Sequence, residues 1–380
     1  MKIGLLGFGV VGRGVYDLVA DRDDIQVAKV LCLEDVTLPD AEVTKDYNSI
    51  LNDETIDTVV EAMGGLHPAY EFVRAAMEAG KNIVTSNKAL VATFYDDLIP
   101  LAMEKGLLFR CTAAVGGGIG WLSELERARR SQTIQKVGGI MNGTCNYILD
   151  SMTRLGLTYA DALSQAQALG YAEADPTADV TGLDALRKIM LGCAVAYDRL
   201  PVEGLYNEGI DSLTAADVAH FQGKGLTCRL LAKGGLAEGK LYAYVQPALL
   251  PADAPECAVK KNFNMAKYLG KNSGQIVLMG QGAGRYPTAS AVIRDLECIR
   301  LGQREMLHEP CEYSKAENDG CLCTYYVRMP KACVAEFELA ESEVQGGVVY
   351  AVTKPISVKA MHEKVRALRK GGMPIFFAEI

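Results

Sequence analysis

Gly7-Phe8-Gly9-Val10-Val11-Gly12 spaces three glycines as a turn that can hold a pyrophosphate. In such a turn the backbone bends sharply and approaches the phosphates, and the helix that follows offers free N–H groups and the positive end of its dipole. The pattern gains weight because it follows a short apolar run, residues 2–6, and opens an amphipathic helical pattern. Roughly twenty residues on, where an acid should bind the adenosine ribose and repel a 2′-phosphate, Leu33 is followed by Glu34 and Asp35. No Lys or Arg adjoins these acids, and Arg13 is the nearest basic candidate, so NAD is expected over NADP. The stretch SNKAL, 86–90, follows a strand pattern. Loops at the carboxyl ends of parallel strands line the ligand crevice, which puts Lys88 near the nicotinamide. A surface lysine is the commoner fate of that residue type; the position on the sheet favours the functional reading.

A second cluster runs through YAEADPTADVTGLDALRK, 171–188, where Glu173, Asp175, Asp179 and Asp184 lead up to Lys188. From Val180 to Tyr197 the only charges are Asp184, Arg187 and Lys188. A helix of that composition is buried over most of its circumference. Asp184 and Lys188 are four residues apart and share a helix face. Spacing alone leaves two readings open: an ordinary surface pair worth about a few tenths of a kcal/mol, or a charged pair facing a cleft.

These residues need elements to carry them. Up to about residue 135, strand patterns alternate with helical ones, the signature of a parallel sheet covered on both faces. Longer helical patterns follow at 144–155, 158–169, 180–197 and 214–233, with Thr158 and Asp161 spaced as a capping box. KLYAYVQPALL and SGQIVLMGQGAG read as strands and 288–301 as a helix. The tail, 311–380, offers strands around CLCTYYVRM, GGVVYAVTK and PIFFAEI and one clear helix, 357–370. The net charge of −8, without a basic block, argues against nucleic acid as a partner. No run of 18 apolar residues and no leader pattern is present, so neither export nor membrane insertion is expected. Eleven scattered cysteines without a C-x-x-C fit reduced thiols in a cytoplasmic protein. Cys145 reads as packed core, which disfavours chemistry needing a thiol nucleophile.

The segments GLLGFGVVGRGV, EAMGG, SNKAL, AAVGGGI, GIMNGTCNYIL, LGYAEADPTADVTGLDALRK and GAGRYPTASAV occur in this order. Together they resemble the homoserine dehydrogenase family, over roughly residues 1–310. The resemblance implies reversible interconversion of L-homoserine and L-aspartate 4-semialdehyde with a nicotinamide cofactor. It implies an α/β fold: a Rossmann-type doubly wound parallel sheet in 1–135, to which 286–310 returns, and a mixed α/β catalytic and dimerisation domain in 136–285. It makes Lys188 the general acid/base and Lys88 a second lysine of the catalytic centre. Glu173 and Asp184 hold the amino-acid substrate, and Gly170 and Gly284 flank the cofactor. Acids suit a substrate that carries an ammonium group, and a protonated lysine suits an oxygen on which negative charge develops. The family's monovalent-cation site would use the carbonyls of Val115, Gly117 and Ile119, but its glutamate position is Thr112, a weaker ligand. The family's usual basic residue after the second strand is absent at Leu33-Glu34-Asp35, and its GGGIP reads Gly118-Ile119-Gly120, a loop loosened by the missing proline. Residues 311–380 resemble a shortened ACT-type regulatory domain, which implies either threonine feedback or a dimer contact through the sheet. A homodimer is expected. Two other readings remain: a non-catalytic NAD-responsive regulator, or a dehydrogenase of another amino-acid substrate.

Overall fold

The computed structural model describes residues 1–303 and 311–380, and the chain divides into two compact units. The last seven residues of the expected returning segment, 304–310, lie outside the described residues.

The first unit comprises Met1–Ile134, Ala194–Leu200 and Gly280–Glu312. Its sheet is formed by β1 (Lys2–Leu6), β2 (Gln26–Leu31), β3 (Glu42–Thr44), β4 (Thr58–Glu61), β5 (Asn82–Thr85) and β6 (Phe109–Arg110), in the order β3-β2-β1-β4-β5-β6. Every pairing is parallel. The order reverses between β1 and β4, the switch point at which doubly wound sheets take ligands. Ile3, Leu5, Val30, Val60 and Val84 meet Val15 and Val19 of α1 (Val10–Ala20) and Val292 and Leu296 of the helix Arg285–Arg300 in one apolar core. Each such side chain contributes about 1.5–3 kcal/mol on leaving water. The two helices pack closely: a Cβ on Gly14 would stand 2.7 Å from the carbonyl oxygen of Arg285. The run LLFRCTAAVGGG, expected as a strand, is extended only at Phe109–Arg110 and then forms short 3-10 turns at Thr112–Ala114 and Gly117–Ile119.

The second unit comprises Gln135–Cys193, Pro201–Met279 and Tyr313–Ile380. Its mixed sheet runs in the order Gly274–Gln281, Phe263–Gly270, Ile134–Ile140, Leu226–Ala237, Lys240–Pro251, Phe376–Glu379, Tyr325–Met329, Val348–Thr353 and Leu339–Gln345, with Tyr206–Asn207 pairing off this path. The helix expected over 214–233 is only half present. It spans Ala215–Gly223, behind a complete capping box of Thr214 and Asp217, and Leu226–Ala237 is a strand instead. The reason is tertiary. Residues 226–237 pair with 240–251 along their whole length as an antiparallel hairpin, which overrides the apolar run's helical pattern. Thr158 caps its helix at the N–H of Asp161, without the reciprocal backbone bond of a full box. The expected helix 180–197 is broken: a single turn, Thr177–Val180, is separated from Leu183–Tyr197 by Gly182, whose φ is 82°. The longer helix packs on the hairpin at Gly234, where a Cβ would lie 2.6 Å from the sulfur of Cys193. The tail contributes four strands to this sheet and the helix Val358–Lys370, joined around Tyr325, Val327, Met361, Val365 and Phe377.

Candidate functional site

In the first unit, β1 ends at Leu6 and α1 starts at Val10, leaving three residues for the turn. Gly7 has φ 93°, and a Cβ there would stand 2.9 Å from the carbonyl oxygen of Ala62. A Cβ on Gly12 would stand 2.1 Å from the carbonyl oxygen of Gly7. Packing therefore demands both glycines. Gly9 is different, because no protein atom lies within 4 Å of where its Cβ would be. Open space in front of the first helical turn is what a pyrophosphate needs, so these residues fit a dinucleotide. Val10 and Val11 open the helix, and Phe8 is buried beneath it, edge-on to Tyr16.

Beyond β2, Glu34 and Asp35 are not the unopposed acids that their sequence neighbours suggest. Arg13 donates to Glu34 at 3.1 Å, with its guanidinium 4.7 Å from the centre of the Phe8 ring. Lys45, just past β3, donates to Asp35 at 2.6 Å. Two cations thus stand beside these acids, and Lys45 was not legible as one of them because β3 brings it there. Gly284 caps the helix Arg285–Arg300.

At the end of β5, Asn87 caps a short helix, Lys88–Thr93, by accepting from the N–H of Leu90 at 3.1 Å. Lys88 is the first residue of that helix and is half-buried. At the end of β4 stands Glu61, a wholly buried carboxylate that the sequence reading passed over inside EAMGG. The carbonyls of Gly117 and Gly118 accept from the guanidinium of Arg294 at 3.3–3.4 Å. A cation thus stands beside Gly117 and Gly118, and in the set with Val115, Gly117 and Ile119 the neutral, buried Thr112 hydroxyl takes the place of a carboxylate.

The second unit holds the other cluster. Asp184 and Lys188 are both buried, 7% and 8% exposed, so the surface-pair reading fails. The Lys188 ammonium donates to Asp184 at 2.7 Å and to the carbonyl oxygen of Met141 at 2.8 Å. Removing two charges from water costs several kcal/mol each and holds only where the surrounding hydrogen bonds are complete. Asn142 supplies them. It ends the strand-to-helix corner after Ile134–Ile140, and its side-chain oxygen accepts from the N–H of Cys145 at 2.8 Å. Its side-chain nitrogen donates to Asp184 at 2.8 Å and to Asp179 at 2.6 Å. The Thr144 hydroxyl lies 2.7 Å from the carbonyl oxygen of Tyr171 and 3.1 Å from Asp179, and can donate to one at a time. Burial pushes the Asp179 carboxyl above the usual range, partly offset by the Asn142 hydrogen bond. The result is two carboxylates bridged by one amide, with an ammonium paired to one of them. Met141 and Asn142 were missed in the sequence, although an asparagine directly before a helical run after a strand is an N-cap signal. Cys145 is wholly buried, as its reading as core requires.

Glu173 does not join this network. It lies exposed on the loop after Gly170, and its side chain makes no hydrogen bond or ion pair among the described residues. Asp175 is turned back on Thr177. Gly170, φ 72°, ends the helix Tyr159–Ala168 in open space.

A doubly wound parallel sheet with an open glycine turn, and a second unit carrying a buried lysine–carboxylate pair, define a nicotinamide-dinucleotide-dependent oxidoreductase. Comparison with known proteins narrows the class. Residues 7–111 match the family model "Homoserine dehydrogenase, NAD binding domain" and residues 121–296 match "Homoserine dehydrogenase". A homoserine dehydrogenase of Corynebacterium glutamicum is 40% identical over 313 residues, 77% of this chain and 70% of that one. The crystal structure of a homoserine dehydrogenase from Thiobacillus denitrificans superposes with a TM-score of 0.86 at 28% identity, covering 100% of this chain and 97% of that one. A hyperthermophilic archaeal homoserine dehydrogenase in complex with NADPH gives a TM-score of 0.69 at 26% identity, over 80% and 98% of the two chains. This chain belongs to the homoserine dehydrogenase family and is an NAD(P)-dependent oxidoreductase. Among the described residues no helix is long and apolar enough to cross a membrane.

Proposed function

We infer that this chain carries out the reaction of its family, the reversible interconversion of L-homoserine and L-aspartate 4-semialdehyde, in the cytoplasm and as a homodimer. The observation that carries this reading is the buried Asp184–Lys188 pair with Asn142 and Asp179 around it. The first unit takes the dinucleotide, which supplies or accepts the hydride; the second takes the amino acid. Two N–H bonds of Lys188 are engaged by Asp184 and Met141. The third is offered to the substrate oxygen. As negative charge develops there, the ammonium stabilises it and then transfers its proton; in the opposite direction the amine takes that proton back. Asp184 keeps the lysine charged and oriented. Asp184, Asp179 and Glu173 together receive the substrate's ammonium group, with Glu173 swinging in from its loop. Lys88, at the start of the helix after β5, is read as the second lysine of the reaction.

NAD is preferred, because Glu34 and Asp35 follow the second strand, where an acid binds the adenosine ribose in this fold. The cations Arg13 and Lys45 offset the repulsion of a 2′-phosphate, so NADP is used as well. The tail is read as a shortened ACT-type unit, and calorimetric titration with L-threonine decides its role: heat and inhibition make it an effector site, and neither leaves the dimer contact.

Purified protein with L-homoserine and NAD or NADP, followed by the absorbance of reduced nicotinamide, tests the whole reading. Turnover with L-homoserine and a lower KM for NAD are expected. Dinucleotide binding without turnover would make the chain a regulator, and turnover confined to another amino acid would move it to a different substrate.

A further inference from the structure

We propose that Glu61 is a positioning residue that fixes Lys88 and the Met63–Gly65 turn in one geometry, an inference that rests on the reading of Lys88 given above. β4 is Thr-Val-Val-Glu, and all four residues are buried. An apolar side chain would close that strand at less cost than a carboxylate, which must fill its lone pairs to be tolerated in the interior. Glu61 has no ion-pair partner among the described residues. Three donors fill it instead, and all three lie on the ligand side of the sheet. One oxygen accepts from the N–H groups of Met63 at 2.8 Å and Gly64 at 3.1 Å. The other accepts from the hydroxyl of Thr85 at 2.5 Å.

The chain of contacts continues to Lys88. The Thr85 oxygen accepts from the N–H of Asn87 at 3.0 Å, and the Asn87 amide donates to the carbonyl oxygen of Gly65 at 2.6 Å. This closes a ring, Glu61–Thr85–Asn87–Gly65–Gly64, that ties the loop after β4 to the loop after β5. Lys88 is the next residue, on the helix that Asn87 caps. Gly64 and Gly65 are both left-handed, φ 75° and 71°, and no atom lies within 4 Å of a Cβ on Gly64. The turn is thus shaped by its own backbone and by the Glu61 carboxylate, with nothing packed over Gly64. A misplacement of about 1 Å at a reacting centre can lower turnover on the order of a hundredfold, so a device that holds two loops in register has a functional consequence.

The test is a series at the middle link. Thr85→Val keeps the shape, removes the hydroxyl and leaves one Glu61 oxygen unfilled; Thr85→Ser keeps the hydroxyl and loses a methyl group. Thr85→Val and Glu61→Gln are expected to lower kcat by about tenfold or more, while Thr85→Ser retains it despite a lower melting temperature. Each should have little further effect when added to Lys88→Met, because they act through the same residue. Activity that follows melting temperature across the series, or effects that add fully to Lys88→Met, would overturn the proposal while leaving the role of Lys88 intact. Unchanged turnover in Lys88→Met alone would instead remove Lys88 from the reaction, and the proposal with it. Should Glu61→Gln fail to fold, the two Thr85 variants carry the test.

Discussion

The glycine turn and the lysine centre solve the same problem, holding charged chemistry in a folded chain, by opposite routes. The turn is made from consecutive residues. Gly12 is required by a contact within a single strand-turn-helix, Gly7 by its left-handed φ and by the Ala62 carbonyl just past β4, and what they present to a ligand is backbone. The lysine centre is made from separate stretches: Met141 and Asn142 at one corner, Asp179 on a single helical turn, Asp184 and Lys188 on the next helix. What it presents is side-chain charge, kept in the interior by the Asn142 amide, the Thr144 hydroxyl and the Met141 carbonyl oxygen. A change in the turn should therefore act on dinucleotide binding. A change in the lysine centre should act on turnover and on stability together, because its charges are tolerated only as a set.

Lys188→Ala draws that contrast most sharply. Turnover should fall by at least about 100-fold, the scale on which loss of a general acid is felt, with dinucleotide affinity unchanged by fluorescence titration. The same substitution strands Asp184 without its ammonium partner, which costs about 3–5 kcal/mol in a buried pair and should shift the urea midpoint downward. Near-normal turnover would take Lys188 out of the reaction whatever happens to stability.

Gly12→Ala is the mirror case. Its Cβ would meet the Gly7 carbonyl oxygen at 2.1 Å, so the turn must move. Backbone distortion of about 1–3 kcal/mol at the phosphate site corresponds to roughly a fivefold to hundredfold loss of dinucleotide affinity. At saturating cofactor, turnover should recover. A variant that binds normally but turns over slowly would break the separation between the two regions.

The contrast also explains what could be read before the structure. The turn was legible because Gly-x-Gly-x-x-Gly, an apolar strand and a helical pattern are local signals, and the parallel character of the first sheet follows from alternating patterns. Asp184 and Lys188 were visible as a helical pair, yet spacing could not say whether they were buried; that depends on the Met141–Asn142 corner that meets them. Asn142 carried a local signal as a helix cap, but its second role, bridging two acids, exists only in three dimensions. Glu61 lay in a quoted motif and gave no pattern at all, since one acid ending an apolar strand looks like its solvent-exposed end. Residues 226–237 were misread for a related reason: LTCRLLAKGG suits either period, and pairing with 240–251 decided it.

Titration offers a finer probe of the lysine centre. Because burial raises the Asp179 carboxyl above its ordinary 3.8, the folded chain holds that proton more tightly than the unfolded chain does. The contribution to stability is then greatest below 3.8 and is lost as pH rises through the raised value. Asp179→Asn removes the titration, so urea denaturation across that range should show a flatter dependence on pH than the wild type. An identical slope in both proteins would mean that Asp179 titrates normally and sits in water, contrary to its place beside Asn142.

The smallest effect is expected at the rim of the dinucleotide site. Leu33 is 82% exposed, so Leu33→Arg should leave stability unchanged. It adds a third cation beside Arg13 and Lys45, whose charges are already committed to Glu34 and Asp35. An exposed charge contact is worth up to about 1 kcal/mol, so kcat/KM with NADP should rise about fivefold while that with NAD stays level. The gain should shrink in high salt, as screening requires. An unchanged NAD/NADP ratio would mean that the choice is made by the existing pairs, and Lys45→Ala would then be the substitution that moves it: freeing Asp35 restores the repulsion that the second strand's acids suggest when the sequence is read alone.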